Sequence, residues 1–344
     1  MIEAGRAPAP PEGTGQEPIL HVEDLHVTYE ARRRGTNPVR AVDGVSFDVA
    51  PGEVLALVGE SGCGKTSIAR AVLRLEKPSG GRIVFRGTDI TTLSGRALRP
   101  IRSGMQMVFQ DPYESLDARQ TVFDLVAEPL AIHGRETGKS ERRQAVLAAL
   151  ERAGLHPAAE IARRYPHHLS GGQRQRVAIA SAMVLEPSLV VADEPVSMLD
   201  VSLRAGILRL MLDLRERRNL AYLFITHDLS LAWVVADRIA VVYLGRIVEI
   251  GTAAEVIGSP RHPYTKALVS VIPVPEAGAA EEQIVLRGET PSARNVPQGC
   301  RFHPRCWRYE ALGRPEACVT RDPVLEGAHG TACHFPLDQE EEPG

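Results

Sequence analysis

One stretch constrains this chain more than any other. Gly59-Glu-Ser-Gly-Cys-Gly-Lys65-Thr66 stands directly behind the apolar run Val54–Val58 and ahead of the helically spaced segment Ser67–Leu75. A continuous aliphatic run bounded by glycine is expected of a strand buried in a parallel sheet. Glycines in the loop that follows let the backbone N–H groups curl around an anion, and the helix start adds partial positive charge. The G-x-x-x-x-G-K-[ST] spacing lets a lysine reach the β- and γ-phosphates and a hydroxyl ligate Mg²⁺. Gly59, Ser61, Gly62, Cys63, Gly64, Lys65, Thr66 and Ser67 are therefore the expected cradle of a nucleotide's phosphates. Lysine is scarce, with four in 344 residues (Lys65, Lys77, Lys139 and Lys266), which weakens the alternative of a glycine-rich turn with a chance lysine.

Strands followed by helices recur along the chain. Leu189–Ala192 ends in Asp193–Glu194, and Tyr222–Ile225 ends in Thr226–His227. Apolar strands with polar residues at their ends describe an α/β fold whose site lies at the carboxyl edge of the sheet. There Asp193 is placed to hold Mg²⁺ through water, and Glu194 to orient and deprotonate an attacking water. Leu20–Tyr29 and Val42–Val49 alternate as strands do. Residues 121–164 change to helical spacing, with Ser140 a suitable cap before Ala145, Val146, Ala149 and Leu150. Leu169-Ser-Gly-Gly-Gln173 opens a helix through Gln175–Val184. On local physics alone it reads as an ordinary Ser-capped helix, with a second anion-binding helix start as the alternative.

Composition narrows the function classes. Basic and acidic residues nearly balance, 40 against 43, so no global basic field points to nucleic acid. No run of about 18 apolar residues exists to span a membrane. Met1–Pro18 lacks the charged-then-apolar order of a signal peptide, and the chain is expected in a reducing, cytosolic setting. Residues 1–18 read as a disordered tail, Arg32–Arg34 as part of a solvated basic loop, and Gln339–Gly344 as an acidic tail. A GTPase would need Asn-Lys-x-Asp, and none of the four lysines follows an asparagine.

Five features in order resemble the nucleotide-binding subunit of an ABC transporter: the phosphate loop 59–66, Gln110, Leu169–Gln173, Asp193–Glu194 with Ser197-Met-Leu-Asp200, and His227. The resemblance implies a P-loop NTPase ABC nucleotide-binding domain, a RecA-like core plus a helical subdomain at about 111–169. It implies that Tyr29 stacks on adenine, that Gln110 contacts Mg²⁺ and the attacking water, and that His227 holds the γ-phosphate. Ser170, Gly171, Gly172 and Gln173 would close on ATP held by a second subunit, and Asp200 would communicate between the two sites. Gln110-Asp-Pro-Tyr-Glu-Ser-Leu-Asp, Tyr165-Pro-His-His-Leu-Ser, Arg261-His-Pro-Tyr-Thr-Lys-Ala-Leu and Gly299-Cys-Arg-Phe-His-Pro-Arg-Cys resemble the oligopeptide/dipeptide importer ATPases in particular. That family implies ATP-driven peptide import at the cytoplasmic face of the membrane. Its partners would be a second ATPase subunit (copy or paralogue), two transmembrane permeases and an extracellular or periplasmic substrate-binding protein. Relatives that carry nickel chelates or glutathione, and a soluble redox-sensing ATPase, are the other readings.

The expected layout is a tail over 1–18, the cassette over 19–272 and a small cysteine-containing extension over 273–344. Cys63 sits at a helix start, where thiol pKa values tend to fall, but it reads foremost as a small residue tolerated in the loop. Cys300, Cys306, Cys318 and Cys333 crowd the loop-rich end with spacing C-x5-C-x11-C-x14-C. A four-thiolate metal clip, zinc, or free thiols all fit that pattern. Some peptide-importer ATPases resembling this chain carry a four-cysteine iron–sulfur cluster in this region, which favours [4Fe–4S] over Zn²⁺.

Overall fold

The computed structural model describes residues 17–30, 37–111, 116–135, 138–272, 283–327 and 329–337. Most of the tail expected over 1–18, the Arg32–Arg34 loop, Pro112–Ser115 of the glutamine motif and the acidic end lie outside the described residues. The chain divides into two compact units. One takes the described residues within Met1–Asp48, Val54–Thr91 and Thr226–Gly344; the other takes Val49–Glu53 and Thr92–Ile225. The described residues after 282 therefore belong to the same unit as the phosphate loop and do not stand as a unit of their own.

In the first unit, β1 (Leu20–Tyr29) lies between β2 (Val39–Val49) and β4 (Gly80–Phe85), with β5 (Thr88–Asp89) at the edge. The buried residues of β1 are Leu20, Val22, Leu25 and Val27. Period two is broken once, between Val22 and Leu25, and the structure supplies the cause. The pairing register with β4 shifts between Glu23 and His26, and Asp24 is left-handed at φ 47°. One extra residue is absorbed as a bulge, which returns the apolar residues to the same face. β3 (Val54–Val58) is buried at all five positions and runs parallel to β9 (Arg238–Tyr243). β9 pairs antiparallel with β10 (Arg246–Thr252), and β10 with the two-residue β11 (Gly330–Thr331). The last pairing fastens the C-terminal residues. Glu249 of β10, fully buried, accepts N–H bonds from Arg261 (2.7 Å) and His262 (2.9 Å), and its Oε1 lies 2.7 Å from His329 Nε2.

The second unit carries a parallel ladder: β6 (Met105–Val108) pairs with β7 (Leu189–Asp193), and β7 with β8 (Ala221–Thr226). The helical stretch expected over 121–164 is three helices, Val122–Ile132, Lys139–Arg152 and Ala158–Ile161. Thr121 and Asp124 form a reciprocal capping box on the first. Ser140 is not the cap of the second; the cap position is Gly138, and Ser140 falls within the first turn. Helix Gly171–Met183 follows, and helix Val201–Arg218 ends at Asn219 in the left-handed conformation, φ 50°. Among the described residues no helix is long and apolar enough to cross a membrane.

Candidate nucleotide site

β3 delivers the chain to the phosphate loop. Two glycines there are required by close approach. A Cβ on Gly59 would lie 2.2 Å from the Val242 carbonyl oxygen, and one on Gly64 would lie 2.2 Å from that of Ala41. Gly64 also has φ +109°, a conformation L residues rarely adopt, and it caps helix Lys65–Val72. That helix starts two residues before the expected Ser67, because the lysine and threonine of the motif are already helical. Lys65 is 5% exposed, and its ammonium donates to the carbonyls of Gly59 (2.7 Å) and Glu60 (3.0 Å). The cation thus folds back over the loop and ties its first residues to the helix start. Ser61 and Thr66 are exposed. Tyr29, at the end of β1, donates its hydroxyl to Ser67 Oγ at 3.3 Å. A left-handed glycine, a helix N-terminus and a buried ammonium thus meet at one loop, the ingredients from which anion-binding concavities are built.

In the second unit, Asp193 closes β7 at 5% exposure. Glu194 is left-handed at φ 46°, which costs a non-glycine residue roughly 1 kcal/mol or more and is typical of functional sites. Its N–H donates to the Ile225 carbonyl (2.9 Å), and its own carbonyl accepts from the N–H (3.2 Å) and Oγ (3.1 Å) of Ser197. These bonds hold the strained backbone and aim the carboxylate. Gln110 Nε2 donates to Glu194 Oε2 at 3.1 Å, across 84 residues of sequence. Two residues singled out separately are thereby neighbours. Ser170 and Gln173 form a reciprocal capping box, with Gln173 N–H on Ser170 Oγ at 3.3 Å and Ser170 N–H on Gln173 Oε1 at 3.1 Å. The helix is capped as local physics expects, and Ser170 remains exposed. Gly171 is half-buried and Gly172 buried, where a Cβ would touch the Leu203 side chain at 3.4 Å. Asp200 occupies the cap position of helix Val201–Arg218 and is exposed. His227, in the first unit, is exposed just after β8.

The cysteines bear out one expectation and leave another unsupported. Cys63 is buried, and burial raises its thiol pKa despite the opposing charge of Lys65, so the helix start does not activate it. Among the described residues no group of three or more His, Cys, Asp or Glu side chains is arranged to hold a metal ion. Cys300, Cys306, Cys318 and Cys333 are all free. The [4Fe–4S] or Zn²⁺ site expected on them does not fit this arrangement. Two of the four have other roles in the fold. Cys300 packs in the core that holds Phe302 and its N–H donates to the Cys318 carbonyl at 2.9 Å, while Cys306 Sγ caps helix Trp307–Ala311 by accepting from Tyr309 N–H at 3.4 Å. Burial pushes the Cys300 thiol up to about 12 and Cys333 to about 11, and raises Cys306 and Cys318 as well. The reactive thiolate becomes more populated only as pH rises toward those values. Iodoacetamide labelling of the native protein at pH 8 is expected to be at least tenfold slower than after denaturation, and to accelerate with pH. Mass spectrometry of timed samples checks this; equal rates would count against it.

Two family models match this chain. The family model "ABC transporter" matches residues 42–197, and the model "Oligopeptide/dipeptide transporter, C-terminal region" matches residues 248–311. The oligopeptide transport ATP-binding protein AppF of Bacillus subtilis is 46% identical over 330 residues, covering 93% of this chain and 98% of that protein. This chain belongs to the ABC transporter ATP-binding family. The dipeptide transport ATP-binding protein DppF of Escherichia coli is 44% identical over 337 residues, 96% of this chain and 98% of its own. Among solved structures, the ATP-binding cassette MJ0796 in a dimeric post-hydrolysis state bound to ADP and Pi has a TM-score of 0.62 at 28% identity, covering 68% of this chain and 98% of that one. CbiO1 from Clostridium perfringens has a TM-score of 0.62 at 30% identity, covering 71% and 92%. The ABC ATPase fold, with its α/β sheets, and ATP hydrolysis as the chemistry follow from that membership.

Sequence reading passed over Glu60, the second residue of the phosphate loop. Its carboxylate is paired with Arg305 at 2.8 Å, and its N–H with the Tyr264 hydroxyl at 3.0 Å. The available signal lay in Gly299-Cys-Arg-Phe-His-Pro-Arg-Cys, where Arg301 and Arg305 stand between Cys300 and Cys306.

Proposed function

We propose that this ABC ATPase powers the import of di- and oligopeptides as the ATP-hydrolysing subunit of a membrane transporter. The observation that carries the proposal is continuous: relatives named as oligopeptide and dipeptide transport ATP-binding proteins align over nearly their whole length, including the C-terminal region at 248–311. Two transmembrane permeases, a second ATPase subunit and an extracellular substrate-binding protein complete the assembly in this reading, and the chain sits peripherally on the cytoplasmic face. The helical segment over about 111–169 is the surface offered to the permeases.

The residues divide the work. The phosphate loop binds the β- and γ-phosphates through its backbone N–H groups and Lys65, and Tyr29 carries the adenine. Thr66, Asp193 and Gln110 would hold Mg²⁺, which when bound neutralises phosphate charge and orients the leaving group. Glu194 accepts a proton from the attacking water, with Gln110 fixing its carboxylate and His227 holding the γ-phosphate. Ser170, Gly171, Gly172 and Gln173 serve the partner subunit's nucleotide, with Asp200 between the two sites. ATP then joins two cassettes, and hydrolysis parts them.

The test is reconstitution of the chain with its candidate permeases, second ATPase and binding protein in vesicles. Uptake of a labelled tripeptide that requires ATP and the binding protein is the expected result. ATP-dependent uptake of a nickel chelate or glutathione with no peptide uptake would reassign the substrate, and soluble ATPase activity with no permease association would reject the transporter role.

A further inference from the structure

The phosphate loop is gripped from outside the motif. Arg305 meets the Glu60 carboxylate with a two-bond fork, Nη1 to Oε2 at 2.8 Å and Nη2 to Oε1 at 3.1 Å. Thr290 donates its hydroxyl to the same Oε2 and accepts from Arg305 Nη1 at 3.1 Å. Four residues before Arg305, Arg301 donates to the Leu244 carbonyl and to the Asp43 carboxylate. The neighbouring Gly245 donates its N–H to the Cys63 carbonyl at 2.7 Å and accepts from Asp43 N–H at 2.9 Å. One short segment, Arg301–Arg305, therefore reaches the loop at two points: Glu60 near its entry and, through Leu244–Gly245, Cys63 near its exit.

The segment is itself fixed. Phe302, between the two arginines, is 1% exposed and lies edge-on to Tyr243 at 5.3 Å and tilted against Tyr264 at 5.4 Å. Tyr264 is the residue whose hydroxyl accepts the Glu60 N–H. Both arginine side chains are nearly out of water, at 5% and 8% exposure. A shielded, bidentate arginine–carboxylate pair adds little stability over an apolar pair of equal shape, but it is directional and defines one geometry.

We propose that Arg305 is a positioning residue of the nucleotide site, holding Glu60 so that the phosphate loop keeps its anion-binding shape and making the C-terminal extension part of the apparatus that binds the nucleoside triphosphate. The proposal rests on the reading of the phosphate loop as a nucleotide site. Burial opposes the charge on Glu60, yet Arg305 and Thr290 outweigh it and hold the carboxyl below its ordinary range, so the pair stays ionised at neutral pH.

The test titrates the full chain with a fluorescent ATP analogue and Mg²⁺. Arg305→Gln is expected to raise Kd about 5- to 50-fold, as coupled sites do. Glu60→Gln should do the same, Glu60→Gln combined with Arg305→Gln should be no worse than the weaker-binding single variant, and Arg305→Lys should recover part of the loss. Unfolding midpoints with and without nucleotide separate this from a merely structural role, which would lower both equally and leave Kd unchanged. A folded Arg305→Gln protein binding within twofold of the unchanged chain overturns the proposal, as do additive losses in the double variant. If Arg305→Gln does not fold, Glu60→Gln and Thr290→Val carry the same readout. Lys65→Ala is the reference: if it binds as tightly as the unchanged chain, the nucleotide reading itself has failed, whereas a weakened Lys65→Ala beside an unaffected Arg305→Gln sinks the Arg305 role alone.

Discussion

Glu194→Gln is expected to reduce steady-state ATP hydrolysis by about 10²- to 10⁴-fold while leaving ATP affinity within a few-fold. The amide is nearly isosteric with the carboxylate, so the left-handed backbone at 194 and its bonds to Ile225 and Ser197 are preserved. The amide oxygen still accepts from Gln110 Nε2, the bond that aims the side chain at 3.1 Å. Only basicity is lost. Binding proceeds and proton removal does not, so the nucleotide-joined pair of cassettes accumulates. Phosphate release under saturating Mg-ATP measures the first effect, and size-exclusion chromatography with ATP measures the second. Turnover within tenfold of the unchanged protein would move the general base to another residue.

Lys65→Ala should instead weaken ATP binding about 10- to 100-fold, the loss expected for charge-assisted hydrogen bonds to a phosphate. Two roles disappear together. The ammonium no longer meets the phosphates, and the carbonyls of Gly59 and Glu60 lose the donor that joins them to the helix start. Lys65→Arg is not expected to rescue binding. The side chain occupies a slot with 5% exposure, where a planar five-donor fork cannot take the place of a compact ammonium. Equilibrium titration with Mg-ATP, paired with an unfolding midpoint to show that the variant is folded, provides the check. Retained affinity in Lys65→Ala would remove the phosphate loop from the mechanism. The two variants thus fail in different ways, one in binding and one in turnover.

Much of the fold was legible because it depends on local pattern. The limits of β1 and β3 agree with those read from alternation and from the continuous apolar run, and β7 and β8 each differ from the reading by one residue per end or less. The phosphate loop was legible because glycine, lysine and threonine at fixed spacing are backbone requirements, met at Gly59 and Gly64 by carbonyls 2.2 Å from where a Cβ would stand. The bulge at Asp24 was not legible. A strand with one extra residue has the same composition as one without, and only the partner β4 shows where the register shifts.

The chain's own sequence determined the ABC cassette, its α/β order and the local conformation of the phosphate loop, since strand period, helix capping and loop conformation are set within a few residues of each position. Tertiary structure alone decided three matters. It brought Gln110 to Glu194 across 84 residues and Arg305 to Glu60 across 245. It also placed Cys300 in the core and made Cys306 a helix cap where spacing had suggested a metal clip. The physical reason is common to all three. Side-chain pairing and desolvation depend on which distant segments share a core, and neither the spacing of cysteines nor the charge of an arginine specifies that partner.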